Sequence, residues 1–95
     1  MSKKASSTVN FTQPKILYKD LSKVRVNGQE VDGLAYKYDN LIEIDKNLSD
    51  KHMFYTCVHE LVGHMILPDL TEKQVLKLEK IVGDSLWRLV LKFTR

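Results

Sequence analysis

Six consecutive residues, His59-Glu60-Leu61-Val62-Gly63-His64, constrain this chain more than any other stretch. They bring two imidazoles and a carboxylate together in a segment whose apolar spacing is helical. Imidazole and carboxylate are donors that hold zinc and activate a water beside it. Helix geometry decides whether these donors can meet. At about 100° per residue, positions i and i+4 differ by only about 40° around a helix. Here the histidines stand at i and i+5, which on a regular α-helix separates them by about 140°. A π-helical turn absorbs one extra residue and returns the rings to one side. Such turns occur mostly at functional sites, and Gly63 is the residue that most easily accommodates one. The motif therefore requires a local distortion of its own helix.

The rest of the chain supports one small domain around this segment. Its 95 residues suffice for a single modest core, and a hydrophobic fraction of 43% is ordinary for a soluble globular protein. No stretch approaches the roughly 20 apolar residues of a membrane span. Lys3 and Lys4 are followed by no apolar run, so no secretory signal is expected, and the single Cys57 excludes an internal disulfide framework. These features point to the cytoplasm. The net charge of +3 is mild and the lysines are dispersed. That pattern reads as a solvated surface, so a nucleic-acid partner is not expected.

Residues 1–13 are rich in Ser, Thr and Lys and are expected to form a disordered tail, leaving 14–95 as the folded domain. Ile16-Leu17-Tyr18 reads as a short strand or turn, Val24-Arg25-Val26 as a strand, and Asn27-Gly28 as a turn. Leu34, Tyr36 and Tyr38 alternate with their neighbours, as do Ile42 and Ile44. Asp39-Asn40 between them suits a tight hairpin turn, since both residues tolerate positive φ. Ser49 is placed to cap a helix that starts near Asp50, runs through Phe54, Val58, Leu61, Val62, Met65 and Ile66, and stops at Pro68. Thr71 with Gln74 fits a capping box for a second helix, whose expected buried stripe is Val75, Leu78, Val82, Leu86, Leu89 and Phe93. Gly83 is expected to admit close packing of the first helix. The expected class is α+β, a small antiparallel sheet followed by two helices. An edge strand of such a sheet can take up an extended peptide.

His59 and His64 are the expected metal ligands, and Glu60 is the expected general base acting on a zinc-bound water. A catalytic zinc site normally has three protein ligands. Glu72, at the start of the second helix, is preferred as the third, with Asp69 and Glu79 as alternatives. Glu79 lies about 10 Å along the helix from Glu72, so both are not expected on one ion. His52 reads as an exposed helix-start residue and Cys57 as packing. Tyr55 either packs or flanks the site, and Trp87 belongs to the core or an interface.

The hexapeptide resembles the H-E-x-x-G-H motif of the dipeptidyl peptidase III family, in which the histidines bind zinc and the glutamate acts on the water. A longer resemblance runs from about Asp32 to Arg88. There the chain is similar to small phage and prophage zinc metallopeptidases, zincin-like and distantly similar to SprT-like and ImmA/IrrE-like proteins. The residues that carry it are Ile42-Glu43-Ile44-Asp45, Thr56-Cys57-Val58-His59-Glu60, Asp69-Leu70-Thr71-Glu72 and Leu86-Trp87-Arg88-Leu89. The chain departs by the inserted residue within the histidine motif, and by lacking the Gly-Tyr or Gly-Trp pair that often follows the last segment. The resemblance implies a minimal zincin-like domain, a hydrolase of peptide or protein substrates, and a host-cytoplasm setting if phage-encoded. The alternative is a catalytically inactive zincin-like protein-binding module, host-directed if phage-encoded.

Overall fold

Short alternating stretches build two small sheets. The structure, a computed structural model, describes residues 11–94. Strands β1 (Lys15–Lys19), β4 (Gly33–Tyr36) and β5 (Leu41–Asp45) form a sheet in the order β1-β5-β4. Between them, β2 (Arg25–Val26) and β3 (Gln29–Glu30) make a separate hairpin. Asn27 and Gly28 close that hairpin with φ of 52° and 78°, the backbone that a two-residue turn between twisted strands demands. In the turn before β5 only Asn40 is left-handed, at 49°, while Asp39 is not. The tail expectation for 1–13 falls mostly outside the described residues. Within them, Asn40 Nδ2 donates to the Gln13 carbonyl at 2.7 Å, so contact with the fold begins before Pro14.

The expected antiparallel sheet needs one correction. β4 and β5 are antiparallel, with Gly33 opposite Ile44 and Tyr36 opposite Leu41. β1 is parallel to β5, with Ile16 opposite Ile42 and Tyr18 opposite Ile44. The cause is topological. The end of β1 and the start of β4 lie at the same end of β5, and the β2–β3 hairpin occupies the chain between them. β5 turns back from β4, so it must run with β1. Alternation reveals which face a residue takes but not the direction of its neighbour.

β5 is the buried centre. Ile42, Ile44 and Met65 form the core, with Ile16, Ala35, Leu48, Met53 and Leu61 packed around them. The acids of β5 are buried too, and each is satisfied, as burial of a charge requires. Glu43 accepts from Lys19 Nζ and from the Tyr36 hydroxyl, both at 3.0 Å. Asp45 Oδ1 accepts from the Leu21 N–H at 3.3 Å, the Asn47 N–H at 3.1 Å and Asn47 Nδ2 at 3.0 Å. It thereby ties the loop after β1 to the end of β5.

Helix α1 (Asp50–Glu60) starts as expected, with Ser49 Oγ accepting the His52 N–H at 3.2 Å. It passes directly into a π-helical segment, Leu61–Ile66, and the Leu67 N–H donates five residues back to the Val62 carbonyl at 3.1 Å. Non-helical backbone at Leu67, ahead of Pro68, ends it. α2 (Glu72–Thr94) opens on the full capping box: Gln74 N–H to Thr71 Oγ1 at 3.2 Å, and Thr71 N–H to Gln74 Oε1 at 2.9 Å. The sheet packs on α1, and α2 packs on α1 and its π-helical extension rather than on the sheet. Among the described residues no helix is long and apolar enough to cross a membrane.

The expected buried stripe of α2 is only half realised. Val75 is fully buried, but Leu86, Leu89 and Phe93 are 44%, 48% and 79% exposed. The line that meets α1 runs through Val75, Gly83 and Trp87 instead. Gly83 faces the Tyr55 ring, where an added Cβ would lie 2.4 Å from Cε2. The Tyr55 hydroxyl donates to Asp84, and Phe54 meets Trp87 at 5.4 Å between ring centroids. Tyr55 and Trp87 are thus packing residues. Helix propensity alone would make Gly83→Ala stabilising by about 1 kcal/mol. Overpacking against a hydrogen-bonded ring opposes this by about 1–3 kcal/mol. The expected outcome in urea denaturation is a net loss of stability, and a net gain would show that the Tyr55 ring yields freely.

Candidate metal centre

α1 delivers His59 and Glu60 in its last turn, and the π-helical segment rotates His64 back beside them. The two Nε2 atoms are 3.3 Å apart and the ring centroids 5.0 Å. The inserted residue therefore does not split the pair. Gly63 has no left-handed backbone and serves through its size. A Cβ at Gly63 would lie 2.4 Å from Val75 Cγ1, so its absence lets the first turn of α2 settle against the π-helix. That contact carries Glu72, the first residue of α2, over the histidines. Glu72 Oε2 lies 3.3 Å from His59 Nε2, and Oε1 lies 3.5 Å from His64 Nε2.

These separations test whether a metal fits. Ligands at about 2.0–2.1 Å from a tetrahedral ion stand about 3.3–3.4 Å from one another. One donor atom from each of His59, His64 and Glu72 can be chosen with all three within 4.8 Å of each other; the Nε2–Nε2 separation of 3.3 Å matches a tetrahedral edge, while Glu72 approaches the two rings with different oxygens. The charges agree with the distances. His59 Nδ1 is 2.7 Å from Glu79 Oε1, and donating its N–H there leaves Nε2 as a bare acceptor. It faces a second imidazole and a carboxylate, so a proton or a cation must lie among them. Burial, and then the charge of His59, lower the pKa of His64 against the pull of Glu72, which disfavours an added proton. The donor set fits a divalent metal.

Glu79 pairs with His59 Nδ1, where it can orient the ring, and stands outside the donor group of His59, His64 and Glu72. Asp69 is exposed and lies outside the cluster. Glu72 is 63% exposed and caps the site from its rim. Glu60 does not join the donor set. It lines the groove on both sides of the site, and burial pushes its carboxyl up to about 7, with Glu72 and Glu79 adding to the shift and His59 opposing it. His52 pairs with Asp32 at 2.9 Å, away from the cluster. Cys57 packs against the core, and burial raises its thiol pKa.

Two contributors escape a reading of the sequence. Gly33 starts β4 with no Cβ to strike Thr56 Cγ2 at 2.7 Å or crowd Glu60 Cγ at 3.2 Å, so the strand lies close beside Glu60. Lys37 lines the groove beside His64. The Asp32-Gly33 pair is a visible turn or close-approach signal, whereas nothing local marks Lys37.

Glu79→Gln should weaken metal binding about 10- to 100-fold while leaving the ligands in place. His64→Ala should abolish it, and Asp69→Ala should leave it unchanged. Competition against a chromophoric chelator measures all three. Equal losses in Asp69→Ala and Glu72→Ala would remove Glu72 from the site.

No protein-family model, curated protein or solved structure matches this chain.

Proposed function

We propose that this chain is a zinc-dependent hydrolase acting on peptide bonds. The observation that carries this reading is the convergence of His59, His64 and Glu72, with one donor atom from each within 4.8 Å of the others and Glu60 beside them but outside the group. Two imidazoles and one carboxylate suit zinc and leave a fourth position open. When bound, the metal supplies Lewis acidity to a water and to the scissile carbonyl. The chain's own residues account for the rest. Glu60 takes a proton from the attacking water as its oxygen bonds to the carbonyl carbon. It then gives that proton to the amine nitrogen as the C–N bond breaks. Glu79 holds the His59 ring in one tautomer and one orientation throughout.

The peptide assignment draws on the sheet and on the resemblance of the flanking motifs. Asp45 N–H donates to the Asp32 carbonyl at 2.8 Å, so Leu34 and Tyr36, at the same parity, also turn their backbone groups toward β5. Those of Gly33 and Ala35 then face the open edge of β4. An extended segment can pair there, next to Glu60 and His64. A non-catalytic binding module would be favoured by a split histidine pair, and the rings are together.

The test combines metal content with turnover. Untagged protein purified without chelators should carry about one zinc per chain by plasma emission. Glu60→Gln should keep that zinc and the fold while losing about 10²- to 10⁴-fold in cleavage of a fluorogenic denatured protein. A zinc-loaded wild type that cleaves nothing would turn the reading toward a structural metal.

A further inference from the structure

The groove has two unlike lobes that share Glu60 and Glu72. One is walled by Glu30, Asp32 and Glu79. Each of these acids already has a cationic or imidazole partner: Arg25 at 3.6 Å, His52 at 2.9 Å and His59 at 2.7 Å. The other lobe is walled by the apolar Val26, Val31 and Leu34, and ends at Lys37 beside His64. Lys37 is the only Lys or Arg on either lobe, and its ammonium makes no hydrogen bond or ion pair with the described residues. By strand alternation Gly33 and Ala35 share one face of β4, which at Gly33 meets Thr56 and Glu60 of α1, and Lys37 opens the turn that follows the strand. The ammonium thus lines the lobe from just past the end of β4, on the side away from Glu30, Asp32 and Glu79. An unpaired cation beside apolar walls selects an anion, and a carboxylate is the anion that a peptide brings.

We infer that Lys37 is a specificity-determining residue, binding a substrate carboxylate on the His64 side of the scissile bond. The inference rests on the hydrolase reading for its bond, but not for its binding step. The carboxylate is either the chain end of the peptide or an Asp or Glu side chain.

The experiment reads binding without turnover. Zinc-loaded, ¹⁵N-labelled Glu60→Gln protein is titrated with three acetylated pentapeptide pools of random neutral residues. One has a free C-terminal carboxylate, one is amidated, and one is amidated with a central Glu. At least one carboxylate pool should shift the amides of Gly33, Ala35 and Lys37 at about fivefold lower concentration than the neutral amidated pool. Lys37→Ala should erase that difference with zinc content unchanged, and Lys37→Glu should reverse it toward a fourth pool, amidated with a central Lys. Which carboxylate pool binds identifies the source. Equal binding of all pools, or a preference that survives Lys37→Ala, overturns the inference. Failure to load zinc counts against the hydrolase reading instead, and the same titration of metal-free protein still decides the role of Lys37.

Discussion

The seating of Val75 against Gly63 is the contact on which this molecule depends. One helix cannot gather three metal donors from the spacing present here. The π-helical turn recovers the second histidine, and the close approach of α2 supplies the carboxylate. The second is allowed by one residue without a side chain, Gly63. The apolar contact and the polar cluster are two sides of the same junction, with Val75 buried on one and Glu72 at the rim on the other.

The sheet provides the counterpart. Its central strand places Ile42 and Ile44 toward the helix and Glu43 and Asp45 among fixed partners. Cross-strand neighbours share a face, so the residues of β4 opposite the two isoleucines are Ala35 and Gly33. These are the small ones. The larger Tyr36 turns away to meet Glu43. Small residues on the helix side let α1 lie close to an edge strand, and Glu60 consequently stands beside free backbone groups.

Much of this was legible in the residues because it is set locally. Ser49, the Thr71–Gln74 box, the Asn27-Gly28 turn and Pro68 each act within a few positions of themselves. The need for a π-helical turn followed from helix periodicity and the offset of the histidines. What was not legible depends on partners distant in the chain. The parallel pairing of β1 reflects the path of the intervening hairpin, and the exposure of Leu86, Leu89 and Phe93 reflects where α1 meets α2. Glu79 was recognisable as a candidate, but only the facing ring shows that it holds Nδ1 rather than an ion.

The division of ligands between helices has a kinetic meaning. Two donors ride on a segment anchored by the core, while the third is the first residue of α2, held by the reciprocal hydrogen bonds of Thr71 and Gln74. Helix ends fray far more readily than interiors. An ion held at such a site would therefore escape by the opening of one turn. The capping pair, which touches no donor atom in the cluster, would be the latch that sets its residence time.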